Sequence, residues 1–161
     1  MITQELLKER FEYKDGNLIY KMSIGSKKIG DIAGTVNEKG YVKIGINGKV
    51  YGAHCLIWIY HNEYIFKKMD VDHNDKNPSN NKIENLRIAT RSQNKANGKK
   101  YKCNTSGLKG AYFSKIRKKW QAVIRYNGKN YHIGYYNNKE EAHEAYNKKA
   151  IELFGEFACF D

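Results

Sequence analysis

The chain has 161 residues, with 29 Lys and Arg against 17 Asp and Glu, a net charge of +12. That length suits one domain or two small ones, and 13 Tyr within a 40% hydrophobic content point to small cores with many half-buried aromatics. No apolar run approaches the roughly 20 residues of a membrane span and no signal peptide is visible, so a cytoplasmic protein is expected. Cys55, Cys103 and Cys159 are odd in number and far apart, which argues against a disulfide framework and against a zinc site.

Taken in order, residues 3–11 predict a short helix with Thr3 as N-cap. Tyr13 to Met22 predicts a hairpin turning at Asp15-Gly16, with Leu18 and Tyr20 on one face. Ile24 to Lys39 is rich in Gly and Lys and predicts loops around a short extended piece at Ile32-Ala33. Tyr41 to Ala53 predicts a clearer hairpin with an Asn47-Gly48 turn, and His54 to His61 an apolar helix packing Leu56, Ile57 and Trp58 inward. A strand is expected at Met69–Asp72, a polar loop over 74–84, and a second strand at Leu86–Ala89. A helix follows from Thr90, which forms a capping-box pattern with Gln93. Residues 98–106 are polar and basic, and are expected to link two domains.

After Gly107 the pattern changes. Strands are expected at Lys109–Ser114, Trp120–Tyr126 and Asn130–Tyr135, with a tight turn at Asn127-Gly128. Asn138 to Phe154 predicts the longest helix, with Ala142, Ala145, Tyr146, Ala150 and Leu153 as its apolar stripe and Gly155 as its end. The expected class is α+β: an N-terminal domain over 1–97, then a three-stranded antiparallel sheet packed on one helix over 107–161.

The charge is unevenly placed. From Arg91 through Lys139 there are 13 Lys and Arg and no Asp or Glu, so the whole surplus lies in 49 residues. A solvated basic face is one explanation, but clearing acids from so long a run of strands and turns suits a polyanion-binding surface.

The chemistry concentrates between Val71 and Asn97. Hydrolysis of a phosphodiester needs an activated water, and a neutral imidazole such as His73 can provide it. It also needs stabilisation of charge on the departing oxygen, which a hard divalent cation held by Asp72 and an Asn can supply. The pattern D-H-x-D-x-N-x-x-N-N, then N-L-R, then T-x-x-x-N occurs as Asp72 to Asn81, Asn85 to Arg87, and Thr90 to Asn94. This pattern resembles the HNH endonucleases with the ββα-metal fold, in particular the phage and intron homing branch. The resemblance implies His73 as general base, Asp72 and Asn94 as ligands of one Mg²⁺ or Mn²⁺, and Asn85 as a brace of the loop through backbone hydrogen bonds. Asp75, Asn80 and Asn81 read as loop formers. His54, in the segment ahead of the motif, is assigned a packing or hydrogen-bonding role ahead of a catalytic one.

The C-terminal portion is similar to the plant Apetala/ethylene-response-factor DNA-binding domain, through Gly107–Tyr112, Trp120–Arg125, His132–Tyr136 and the helix from Glu140 to Tyr146. That resemblance implies a sheet lying in the major groove of double-stranded DNA. Alternation then places Trp120, Ala122 and Ile124 against the helix, with Gln121, Val123 and Arg125 outward. Tyr112, Ser114, Asn130 and His132 are expected to share the outer face. Arg125 is the expected guanine reader, and Lys115, Arg117, Lys118, Lys119 and Lys129 the phosphate contacts. The expected function is a nicking, Mg²⁺-dependent DNA endonuclease leaving 5′-phosphate and 3′-hydroxyl ends, acting as a monomer or a dimer. A non-catalytic DNA-binding regulator is the alternative.

Overall fold

The computed structural model describes residues 2–100 and 104–160. Cys103 and the part of the expected linker at 101–103 lie outside the described residues. The chain divides into two compact units, Met1–Ala89 and Thr90–Asp161. It is a mixed α/β protein, with four α-helices and several small sheets among the described residues.

In the first unit, α1 (Gln4–Arg10) starts where the Thr3 hydroxyl accepts from Leu6 N–H at 3.3 Å. The hairpin of β1 (Phe11–Lys14) and β2 (Asn17–Tyr20) follows and alternates strictly, so that Phe11, Leu18 and Tyr20 all face the core. Strands β3 (Thr35–Val36), β4 (Val42–Ile46) and β5 (Lys49–Gly52) form an antiparallel sheet in the order β3-β4-β5. The sequence reading missed β3, whose two exposed residues carry no alternation to detect. Asn47 takes a positive φ of 51° at the β4–β5 turn, as a two-residue hairpin loop requires.

Helix α2 (Ala53–Asn62) packs between α1 and these sheets, burying Leu56 and Ile57 completely. With Leu7, Phe11, Leu18 and Ile44 they form one continuous core. Each such side chain contributes about 1.5–3 kcal/mol, and Leu56→Ala would cost roughly 2–5 kcal/mol by leaving a cavity. This core carries β6 (Met69–His73) and β7 (Leu86–Thr90), a two-stranded sheet entered through a 3₁₀ turn at Ile83–Asn85.

The second unit begins with α3 (Arg91–Asn97). Its capping box forms as the sequence suggests: Thr90 Oγ1 accepts from Gln93 N–H, and Gln93 Oε1 accepts from Thr90 N–H at 2.8 Å. This helix, expected to close the first domain, groups with the second unit and packs against α4 (Lys139–Phe154).

The antiparallel sheet of β8 (Ala111–Ser114), β9 (Lys119–Tyr126) and β10 (Lys129–Tyr136) has β9 at its centre. Helix α4 packs on one face of this sheet through Ala142, Tyr146, Ala150 and Phe154. Phe154 takes the place expected of Leu153, the ring of Phe154 lying 5.7 Å from that of Tyr126. Lys109 and Gly110 form a turn in place of the expected strand start. Gly110 has φ +78°, and a Cβ there would lie 2.1 Å from the Tyr146 ring, so helix and sheet approach too closely for any side chain.

Candidate active site

Asp72 and His73 close β6, and both are buried, an unusual state for a carboxylate and an imidazole. Each has partners that account for it. Oδ2 of Asp72 accepts from Arg87 Nε at 3.1 Å, a pair formed because β6 and β7 are neighbours in one sheet. His73 Nε2 lies 3.0 Å from Asn81 Oδ1. On its other sides the imidazole meets His54 edge-on at a centroid separation of 5.0 Å, and Tyr41 at 6.0 Å.

His54 stands at the start of α2, where a Cβ on Gly52 would come within 2.5 Å of its ring. Burial, aided by the charges of His73 and Lys43, pushes the His54 imidazole down to about 4. It is therefore neutral near pH 7. Its Nδ1 is buried without a hydrogen-bond partner among the described residues.

The loop between β6 and β7 is ordered by a side-chain network. Asn85 Oδ1 accepts from Asp75 N–H at 3.0 Å, and Nδ2 donates to Asp75 Oδ1 at 2.9 Å and to the Asn80 carbonyl at 2.8 Å. Asp75 also accepts from Asn77 N–H at 2.9 Å and from Asn80 Nδ2 at 2.7 Å. Partial burial pushes the Asp75 carboxyl up. The hydrogen bonds from Asn80, Asn77 and Asn85, with the charge of His73, outweigh it and hold the carboxyl below its ordinary value. The loop is anchored to the rest of the first unit twice, by Ser79 Oγ donating to the Gly40 carbonyl at 2.7 Å and by Ile83 N–H donating to the Tyr13 hydroxyl at 3.0 Å.

Asp72, His73 and Asn85 thus lie together in the first unit, with His54 beside His73. Asn94 is half-buried on α3, in the second unit. Two residues with places in this site had no assigned role from sequence. The sequence makes Asn81 a loop former beside Asp75 and Asn80, and gives Arg87 only its place in N-L-R. The only sequence signal for either was its position inside the motif.

In the second unit the register Tyr112↔Gln121, Asn130↔Arg125 and His132↔Val123 puts these six on one face, with Ser114 opposite Lys119. Ala111, Ala122 and Ile124 are buried on the other. The register shifts between His132 and Gly134, a bulge that aligns Tyr135 with Gln121. Tyr135 therefore joins the outer face, which unbroken alternation would have denied it. Its ring lies 4.3 Å from His132, with the Arg117 guanidinium 4.9 Å above it. Lys115, Lys118, Lys119, Arg125 and Lys129 are exposed.

A buried Asp-His pair thus stands at a strand end, next to a loop braced by an Asn. Residues 51–96 match the HNH endonuclease family. The chain is 37% identical to Protein 3.8 of Escherichia phage T7 over 107 residues, which are 66% of this chain and 88% of that protein. It is 42% identical to an HNH endonuclease of Acanthamoeba polyphaga mimivirus over 90 residues, 55% of this chain and 45% of the viral protein. Among solved structures, the HNH homing endonuclease I-HmuI aligns with a TM-score of 0.41 at 22% identity, covering 86% of this chain and 80% of that one. Residues 51–96 thus carry an HNH endonuclease domain, and the chain is a nuclease, a hydrolase of phosphodiester bonds.

Proposed function

We propose that the protein is a divalent-metal-dependent DNA endonuclease of the phage or homing type, which nicks duplex DNA through His73. The observation that carries this reading is the buried Asp72-His73 pair, held by Arg87 and Asn81 beside a loop braced by Asn85. His73 takes a proton from a water molecule, whose oxygen attacks phosphorus in line with the 3′ oxygen. The bond between phosphorus and that oxygen breaks, and the departing oxygen takes a proton from solvent water, leaving a 5′-phosphate and a 3′-hydroxyl.

Asp72 and Asn94 would hold the metal. Their carboxylate and amide oxygens are hard donors that fit Mg²⁺ or Mn²⁺, ions content with few protein ligands. When bound, such an ion supplies charge neutralisation at the phosphate and assistance to the leaving oxygen.

The sheet of the second unit is assigned to DNA as an Apetala/ethylene-response-factor-like module. Its outer face offers Gln121, Val123 and Arg125 for base edges, and Tyr112, Ser114, Asn130 and His132 around them. Lys115, Arg117, Lys118, Lys119 and Lys129 serve the phosphates. One site per chain cuts one strand per docking, so a monomer nicks; a double-strand break takes a dimer or a second event.

The test is incubation with supercoiled plasmid and Mg²⁺ beside His73→Ala. Open-circle product that vanishes in the variant supports the reading. Absence of product across several metals and DNA substrates refutes it and favours the non-catalytic DNA-binding alternative.

A further inference from the structure

We infer that Lys43 is a further catalytic residue of the nuclease centre: its ammonium takes a non-bridging oxygen of the scissile phosphate and offsets the negative charge that builds there during attack. The inference rests on the reading of Asp72 and His73 as the catalytic pair, and adds to it a group that receives the substrate.

Three observations carry it. First, the register puts Lys43 on the face where the histidines meet. Lys43 on β4 stands directly opposite Gly52 on β5, and residues so paired project to one side of the sheet. A Cβ on Gly52 would come within 2.5 Å of the His54 ring, so His54 lies over that side and Lys43 shares it. Second, the ammonium joins a cluster of rings. Lys43 Nζ stands 5.8 Å from the centre of the Tyr41 ring, two residues earlier in the chain. Tyr41 in turn lies 5.7 Å from His54 and 6.0 Å from His73, and the two imidazoles are 5.0 Å apart. Third, the charge has no anion. Lys43 is half-buried, yet among the described residues no carboxylate pairs with it.

The contact with Tyr41 explains where the ammonium sits but not what its N–H groups serve. It lies near the outer limit of a cation–π attraction, about 6 Å, and leaves three donors to be met by a ligand or by water. On the side away from Tyr41 the approach is open. The next residue on the same face is Gly45, where an added Cβ would meet nothing within 4 Å. A sheet face bare at that position lets a phosphodiester backbone come close to the ammonium. A half-buried cation without a counter-ion also raises the local potential, which draws an anion toward the rings. Lysine suits the task, being a point charge with rotatable donors on a flexible stem.

The experiment compares wild type with Lys43→Met, which keeps an unbranched stem without the charge, and Lys43→Arg, which keeps the charge. Lys49→Met is the control: Lys49 is an exposed cation of the same sheet, but it pairs with the buried Ile46 and so belongs to the other face. Thermal denaturation establishes that each variant is folded. In plasmid nicking with Mg²⁺, kcat of Lys43→Met should fall by about 10²-fold, the scale of one lost oxyanion donor, with KM changed less than about threefold. Lys43→Arg should recover most of that loss, and Lys49→Met should nick as wild type does. A second measurement needs no variant. Lysines of the wild-type, metal-free full chain are acetylated with and without saturating duplex DNA and read by mass spectrometry. DNA should slow acetylation of Lys43 several-fold and leave Lys49 unchanged.

A folded Lys43→Met that nicks at the wild-type rate overturns the inference, and so does a loss that Lys43→Arg leaves unrecovered. Acetylation of Lys43 at one rate with and without DNA overturns it as well, even where Lys43→Met fails to fold. Failure of the underlying reading looks different: His73→Ala would then retain nicking, whatever protection DNA gives to Lys43.

Discussion

Replacing Asn85 with Ala should loosen the loop that follows His73, the proposed general base, without unfolding the unit around it. Three hydrogen bonds disappear: one from Asp75 N–H, one to the Asp75 carboxylate and one to the Asn80 carbonyl. At about 1 kcal/mol for each neutral bond and about 1.5–3 for the one to a carboxylate, the simple total is roughly 4 kcal/mol. That is an upper value, because the two bonds to Asp75 are solvent-exposed and their freed groups rehydrate. A net loss of about 2 kcal/mol is expected.

The backbone bond from Asn74 N–H to the Asn85 carbonyl survives the substitution, as do the anchors at Gly40 and Tyr13. The loss should therefore appear as local opening of residues 74–82, with the core transition little changed. Amide exchange at Asn77, Ser79 and Asn80, whose N–H groups are bonded within the loop, should accelerate by about 30-fold. Plasmid nicking should fall with it. Unchanged exchange at these three amides, with nicking at the wild-type rate, would refute the account of Asn85 as the brace.

Arg87→Ala should cost about 3–5 kcal/mol, because it removes the guanidinium paired with the buried Asp72 carboxylate; thermal denaturation of the first unit checks it, and Arg87→Lys should recover only part, lacking the planar fork. On acidification the first unit should lose stability between about pH 6.5 and 4. His54, with its folded value lowered to about 4, binds its proton in the unfolded chain first, so the stabilisation is complete above 6.5 and lost as pH falls. The shift sets a ceiling of roughly 3 kcal/mol, and Asp75, also lowered, extends the loss in the same direction at more acidic pH. Chemical denaturation at several pH values tests this, and His54→Phe should flatten the dependence. For the proposed DNA contact, Arg125→Ala should weaken site preference more than total affinity, and equal losses on specific and random duplex would contradict a base-reading role. The logarithm of affinity should fall with the logarithm of salt with a slope no steeper than about −4.5, if the five candidates Lys115, Arg117, Lys118, Lys119 and Lys129 are the phosphate contacts.

Local grammar was legible in the sequence. The Thr90/Gln93 capping box, the Asn47-Gly48 and Asn127-Gly128 turns and the α4 boundaries follow from backbone chemistry that acts over three or four residues. What escaped has a longer range or depends on a one-residue displacement. Arg87 meets Asp72 across 15 positions of chain only because two strands pair. Asn81 and Asn80 are chemically identical neighbours, yet one turns inward to His73 and the other outward to Asp75, a choice made by packing alone. Tyr135 changes face because of a bulge, and a bulge leaves no period in the sequence when an Ile and a Gly occupy it. In α4 the stripe was drawn one residue short at its end, where a helix that closes on Gly155 brings Phe154 inward.

The arrangement of charge within the second unit bears on the proposed docking more than its amount does. Three of the cations in the acid-free run are used internally: Lys100 donates to the Gly107 carbonyl, Lys109 to the carbonyls of Ala96 and Gly98 at the end of α3, and Lys139 to Ser106. Of the others, Lys115, Arg117, Lys118, Lys119, Arg125 and Lys129 are exposed on β9, β10 and the β8–β9 turn, and Arg91, Lys95 and Lys99 on or just after α3, while Glu140, Glu141, Glu144 and Glu152 all ride on α4, behind the sheet. The cations of α4 are offset where they stand, Lys148 by Glu144 at 3.0 Å and Lys149 by Glu152 at 2.6 Å. Such exposed pairs add little stability, but they remove positive charge from the helix side. The sheet therefore carries denser positive charge than α4, and a polyanion would be drawn to the sheet in preference to that helix. A uniformly basic domain of equal net charge would bind in many orientations. On the proposed docking, the bias toward the sheet would orient the ligand before any base is read.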